Sequence, residues 1–254
     1  MPKRTHALAC AAALLVPAPA VAADGADASS ASGAPAEEPV YPQWSGSVGL
    51  GLFSASGNTE STSVNLDIEA GLEYERWRHA LAVTAYAASE DGEDTAERYS
   101  GRLQSNYQLT ERTYLFAAGR YETDRVGAFD RRASRTAGVG RRLVATDALE
   151  LDAEAGAGYR VSEPDGTNER NGESVVSLRG DLAWRLSATS AFTQELEVIS
   201  GSDNTATRSV TGLESDLTGD LALKVTYTVE HNSDVPADTE NTDTFTAITL
   251  AYAF

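Results

Sequence analysis

Outside the N-terminal stretch the sequence has two histidines, His79 and His231, and these are the first places to look for acid–base or nucleophilic chemistry. Nucleophilic hydrolysis needs a hydroxyl within hydrogen-bond reach of an imidazole, and an acid to orient the ring. The run His231-Asn232-Ser233-Asp234 brings those residue types together and is the one segment that suggests a lipid or peptide hydrolase. A polar loop explains the same residues. His79 stands beside Trp77 at a short turn and reads as an interfacial residue. The carboxylates Glu90, Asp91, Glu93 and Asp94 are a candidate Ca²⁺ or Mg²⁺ cluster, but they lack the ligand order of a dedicated site and also read as solvated loop charge. One cysteine, Cys10, and three histidines leave no zinc set and no disulfide framework. No catalytic residue, metal site or cofactor is therefore expected. Gly49 and Gly51 alternate with Val48 and Leu50, which makes them strand glycines and not a phosphate cradle.

The richer chemistry lies in how charge is distributed. Thirty-eight Asp and Glu against 20 Lys and Arg give a net charge of −18, opposite to the basic footprint of a nucleic-acid binder. These charges alternate with apolar residues. Val64, Leu66, Ile68, Ala70, Leu72 and Tyr74 interleave with Asn65, Asp67, Glu69, Gly71, Glu73 and Glu75. Leu149, Leu151, Ala153, Ala155, Ala157, Tyr159 and Val161 interleave with Glu150, Asp152, Glu154, Gly156, Gly158 and Arg160. Only a β-strand puts such sets on opposite faces. The polar face gathers Glu69, Arg98, Arg102, Arg120, Arg142, Asp152, Glu154, Arg160, Arg179, Asp181, Arg185 and Glu195, joined by Glu73, Glu150, Glu197 and Glu230. Turned into a barrel, this face forms a network of charges that must pair or be hydrated.

Strands of about ten to thirteen residues suit a tilted crossing of a bilayer. Tight connections at 76–78, 110–113, 146–148, 187–190 and 218–220 alternate with longer polar ones at 54–60, 90–97, 122–131, 162–173, 201–208 and 231–241. Odd-numbered strands begin near Trp44, His79, Tyr114, Leu149, Ala191 and Leu221, a series of similar hairpins. The expected fold is all-β: a closed antiparallel up-and-down transmembrane barrel of about 12 strands over residues 44–254, with short turns at one end and longer loops at the other. Trp44, Tyr74, Trp77, Tyr107, Tyr114, Trp184, Phe192, Tyr252 and Phe254 form an aromatic girdle near the short turns, and Phe53, Tyr99, Tyr121, Tyr159 and Tyr227 one toward the loops. Hydrocarbon requires closure, because only a closed barrel satisfies every strand's backbone groups there. Ahead of the barrel, Lys3 and Arg4, the apolar run 7–18 and Ala20-Val21-Ala22 read as a signal peptide cut after Ala22. Residues 23–43, rich in Ala, Ser, Pro and acids, read as a flexible N-terminus.

Three motifs carry a family resemblance. Trp44-Ser45-Gly46 followed by Ser56-Gly57-Asn58-Thr59-Glu60 resembles an N-terminal signature. Tyr121-Glu122-Thr123-Asp124-Arg125, with Gly127 and Arg131-Arg132, resembles a central loop. Tyr227, Asn232 to Pro236 and Thr242-Asp243-Thr244 resemble a C-terminal hairpin. Together these are similar to the salt-induced outer-membrane proteins, domain of unknown function 481. The resemblance implies an outer-membrane location and a link to salt or osmotic stress, with no assigned chemistry; Val126 stands where the family often has Phe. The final strand, ending at Tyr252 and Phe254, resembles an assembly signal read by the barrel-assembly machinery. The remaining expected partners are outer-membrane lipids and lipopolysaccharide, around a non-enzymatic monomer that is either a structural barrel or a small, weakly cation-preferring channel.

Overall fold

The computed structural model describes residues 42–55, 61–91, 93–125, 129–164, 169–236 and 239–254. The expected signal peptide, most of the N-terminal segment, the 56–60 motif, Val126 and Gly127 lie outside the described residues.

Twelve strands follow in chain order: β1 (Gln43–Ala55), β2 (Ser61–Tyr74), β3 (Trp77–Glu90), β4 (Glu93–Gln108), β5 (Thr113–Asp124), β6 (Phe129–Ala145), β7 (Leu149–Pro164), β8 (Asn171–Arg185), β9 (Ser190–Ser200), β10 (Thr205–Thr218), β11 (Leu221–Asn232) and β12 (Thr242–Ala253). Each pairs antiparallel with its sequence neighbours, and β1 pairs with β12 to close the barrel. Both ends of the barrel chain therefore meet at the short-turn rim. The closing seam is brief: four registered pairs from Ser47↔Ala253 to Leu50↔Leu250, extended by reciprocal backbone bonds between Gly46 and Phe254 at 3.0 and 2.9 Å. The Phe254 ring occupies the space where a Cβ on Gly46 would stand.

Period-two patterning sets the faces. Val48, Leu50, Leu81, Leu103, Leu115, Val139, Leu178, Leu196, Leu213, Ile248 and Leu250 are all exposed on the outside. Glu154, Arg160 and Glu197 are buried inside. This is the reverse of a soluble barrel, and it gives the belt of a transmembrane one. Trp44, Tyr74, Trp77, Trp184, Tyr252 and Phe254 border the belt at the turn end, and Tyr99, Tyr121, Tyr159 and Tyr227 at the loop end.

Tyr114 departs from the expected girdle. It is 5% exposed, turned inward with Phe116, and its hydroxyl donates to Glu154 at 3.0 Å. Gly140 and Gly156, on the neighbouring β6 and β7, leave the room that the Tyr114 and Phe116 rings fill. The loop-end connections are also shorter than hydropathy suggests. Residues 93–97, 162–164 and 171–173 continue as strand, with Tyr86↔Arg98, Ala87↔Glu97 and Arg160↔Glu173 in register. Ladder hydrogen bonds need no apolar side chains, so polar hairpins extend past the belt.

Candidate functional site

The inward charges form a layered network across the barrel. Glu197 on β9 is its hub: it accepts from Arg102 of β4 at 2.7 Å and Arg120 of β5 at 3.2 Å, while Arg179 of β8 approaches to 3.9 Å. Arg120 also reaches Glu122 at 2.6 Å. Arg179 holds Asp181 and Glu195, each at 2.7 Å, and Arg208 of β10 joins Glu195 at 2.9 Å to Glu230 at 3.1 Å. Arg98 crosses furthest. From β4 it pairs with Asp124 on β5, reaches Glu230 on β11 at 2.6 Å, and stacks 4.1 Å above the Phe245 ring on β12. These guanidinium forks suit several carboxylates at once, which a lysine ammonium does less well.

Toward the turn end the charges stand closer to their own wall. Lys224 pairs with Glu69 at 3.0 Å and Arg142 with Asp152 at 3.2 Å. Glu154 accepts from Gln104 at 2.7 Å as well as from Tyr114. At the loop end Arg160, 1% exposed, pairs with Glu173 at 2.6 Å and donates to the carbonyls of Ile199 and Asn204, tying β7, β8 and the β9–β10 connection together. Arg185 is exposed at the turn end of β8, without an ion pair among the described residues.

Of the residues expected on this face, Arg98, Arg102, Arg120, Arg179 and Glu195 meet in the cross-barrel layer. Glu69, Arg142, Asp152 and Glu154 lie below it, Arg160 above it, and Asp181 at its edge. Glu122, Asp124 and Arg208 belong to the same layer but fall in stretches read as loops. Lys224 sits between Leu223 and Val225 with inward parity, so simple alternation marks it.

The network leaves a cavity of about 520 Å³. Residues of β2–β5 and β7–β12 line it, and small or short side chains among them, such as Ala82, Thr84 and Ala247, leave space that the arginines do not fill. Nine carboxylates line it (Asp67, Glu69, Glu122, Glu150, Asp152, Asp181, Glu195, Glu214 and Glu230) against five cations, Arg98, Arg102, Arg120, Arg208 and Lys224. Asp67 is held by Asn65 at 2.6 Å and Thr249 at 3.4 Å, with no guanidinium on it. Above Arg120 a second space of about 50 Å³ is lined by Arg132, Arg160 and Arg208.

The hydrolase residues do not assemble. His231 Nδ1 bonds Thr242 at 2.9 Å, while Ser233 donates to Asn204 at 3.2 Å and accepts from the Thr205 amide at 2.8 Å. His79 stacks on Trp77 at 5.7 Å and bonds Ser105 at 2.8 Å on the outer face. Among the described residues no group of three or more His, Cys, Asp or Glu is arranged to hold a metal ion.

A family model described as "Protein of unknown function, DUF481" matches residues 48–254. An "Uncharacterized protein YdiY" of Escherichia coli (strain K12) is 30% identical over 210 residues, 82% of each chain. Among solved structures, the NanC porin aligns over 83% of this chain and 98% of its own, at 10% identity and a TM-score of 0.45. The translocator domain of the autotransporter NalP from Neisseria meningitidis aligns over 86% and 90%, at 9% identity and 0.44. Both scores lie below 0.5, and nothing about solutes or partners follows from them.

Proposed function

The chain belongs to the DUF481 family of proteins of unknown function, and from that premise we propose that it is an outer-membrane barrel whose lumen is a narrow, cation-preferring water path. One observation carries the reading: the lumen cavity is lined by nine carboxylates and five cations. Rings of carboxylates favour cations in a pore. The buried Glu154 Oε2, Ser177 Oγ and Arg179 Nη1 have no protein hydrogen-bond partner, and a hydrated lumen supplies the missing hydrogen bonds. The separate partners of His231 and Ser233 favour a non-enzymatic protein. The outward apolar belt favours a lipid-embedded monomer, delivered by a signal peptide cut after Ala22 and inserted through its C-terminal strand.

Salt enters through the outermost pairs. The Debye length falls from about 10 Å at 0.1 M to about 3 Å at 1 M, and withdrawn pairs are screened much less than exposed ones. Glu69 and Lys224 edge the cavity, with Glu69 more than half exposed, whereas Arg120 and Glu197 are withdrawn from solvent. High salt therefore loosens the cavity rim and leaves the hub intact, a route from osmolarity to conductance.

Planar-bilayer recording with a KCl gradient tests the proposal. The reversal potential is expected to show preference for K⁺. Preference for chloride would reject the reading. Silence in both the wild type and an Arg98→Ala variant would favour a second reading, a plugged structural barrel, to which the cross-barrel hub of Glu197 also points.

A further inference from the structure

The outer face departs from its apolar pattern in one sector. The outward positions of β1, β2, β8, β9, β10 and β12 carry no charged side chain. On β6 the outward series is Arg131, Ala133, Arg135, Ala137, Val139 and Arg141, with all three arginines exposed. Arg131 and Arg135 lie at the loop end. Arg135 stands in register with Gly119 on β5 and Tyr159 on β7. Gly119 has open space where a side chain would project, so the guanidinium lies beside a notch between exposed Tyr121 and Tyr159.

The outward carboxylates of the neighbouring strands are already taken. Glu97 pairs with Arg125 at 2.8 Å, and Glu163 with Arg170 at 3.4 Å. Arg131 and Arg135 have no ion-pair partner among the described residues. Of the four arginines here, Arg125 and Arg170 are thus neutralised by glutamates, while Arg131 and Arg135 keep exposed, unpaired positive charge on a chain whose net charge is −18. A lipid-facing arginine is tolerated near the interface, where it can reach a phosphate, and is costly at the midplane. Four residues of strand separate Arg131 from Arg135 by about 13 Å, a span suited to a phosphate at each end of a disaccharide.

We propose that the loop-end outer face of β5, β6 and β7 binds the phosphates of lipopolysaccharide through Arg131 and Arg135. The site rests on the membrane-spanning reading but not on ion conduction. Planar guanidiniums take phosphate oxygens in bidentate fashion, and the flanking tyrosines pack on the sugar and the upper acyl chains. Arg141, outward at the turn end, faces the opposite leaflet and serves as the comparison.

The test is native mass spectrometry of the purified protein in detergent, titrated with bis-phosphorylated lipid A and with the same lipid stripped of phosphate. The wild type is expected to retain the phosphorylated lipid. Arg131→Ala combined with Arg135→Ala weakens retention by about tenfold or more. Arg141→Ala leaves it unchanged, and inorganic phosphate does not displace the lipid. Heat-modifiable migration on gels reports folding separately, and a wild type that never gives the folded band would overturn the membrane reading instead. Should the double variant not fold, Arg135→Gln carries the same comparison. Equal retention by the arginine variants, equal binding of the phosphate-free lipid, or a dimer mass in place of the lipid adduct would each overturn the site.

Discussion

Arg98 shows how much one side chain can hold in a narrow barrel. It links Asp124, Glu230 and the Phe245 ring, and so touches the walls of β4, β5, β11 and β12 at the loop-side cap of the cavity. Removing it opens that cap, so Arg98→Ala is expected to raise single-channel conductance by about twofold or more, with Arg102→Ala acting in the same direction. Unchanged conductance in both variants would show that the path does not pass this layer. Arg160 answers to stability instead. Its burial and its bonds to Glu173 and two carbonyls mean that Arg160→Ala removes the ion-pair partner of Glu173 and the donor to two carbonyls, a loss of about 3 kcal/mol in urea unfolding from lipid vesicles. At this scale the sequence was only half readable. Alternation shows that Arg98 and Glu230 share the inner face, but which residues meet across the lumen depends on barrel diameter and strand stagger, and neither is written in local spacing. Tyr114 illustrates the limit: a tyrosine at a strand start reads as girdle until Gly140, 26 residues on, is seen to make room for it inside.

The elements were legible where hydropathy alternates and misleading where it stops. Strand period, the tight turns and the even strand number follow from the side-chain pattern alone. The loop-end hairpins do not, because polar ladders such as Arg160↔Glu173 carry no apolar signature. Two predictions belong here. Leu66 faces outward in register with Leu50, so Leu66→Arg is expected to destabilise by about 2–4 kcal/mol if near the midplane, and Asp67→Lys on the lumen side by less. Equilibrium unfolding in vesicles checks the order, and the reverse order would turn the faces inside out. The seam between β1 and β12 is the shortest ladder, and Phe254 supplies both of its terminal backbone bonds. Deleting Phe254, or filling its seat with Gly46→Leu, is expected to lower the heat-modifiable folded band on gels. Normal folded yield from both variants would show that closure does not depend on that contact.

For the whole molecule, the inverted arrangement unites the observations: an apolar belt outside, charge inside, and a cavity that the cross-barrel arginines leave open. The central claim is that this cavity holds water and prefers cations. Thiol labelling tests it most directly, because the sole cysteine, Cys10, lies ahead of the barrel. Thr84 lines the cavity beside Asp67, its register partner on β2, and Ala85, its neighbour on β3, points outward. In vesicle-embedded protein, Thr84→Cys is expected to react about tenfold faster with a small cationic thiol reagent than with an anionic one of equal size, and Ala85→Cys with neither. Faster reaction with the anionic reagent, or labelling of Ala85→Cys at the rate of Thr84→Cys, would contradict the account.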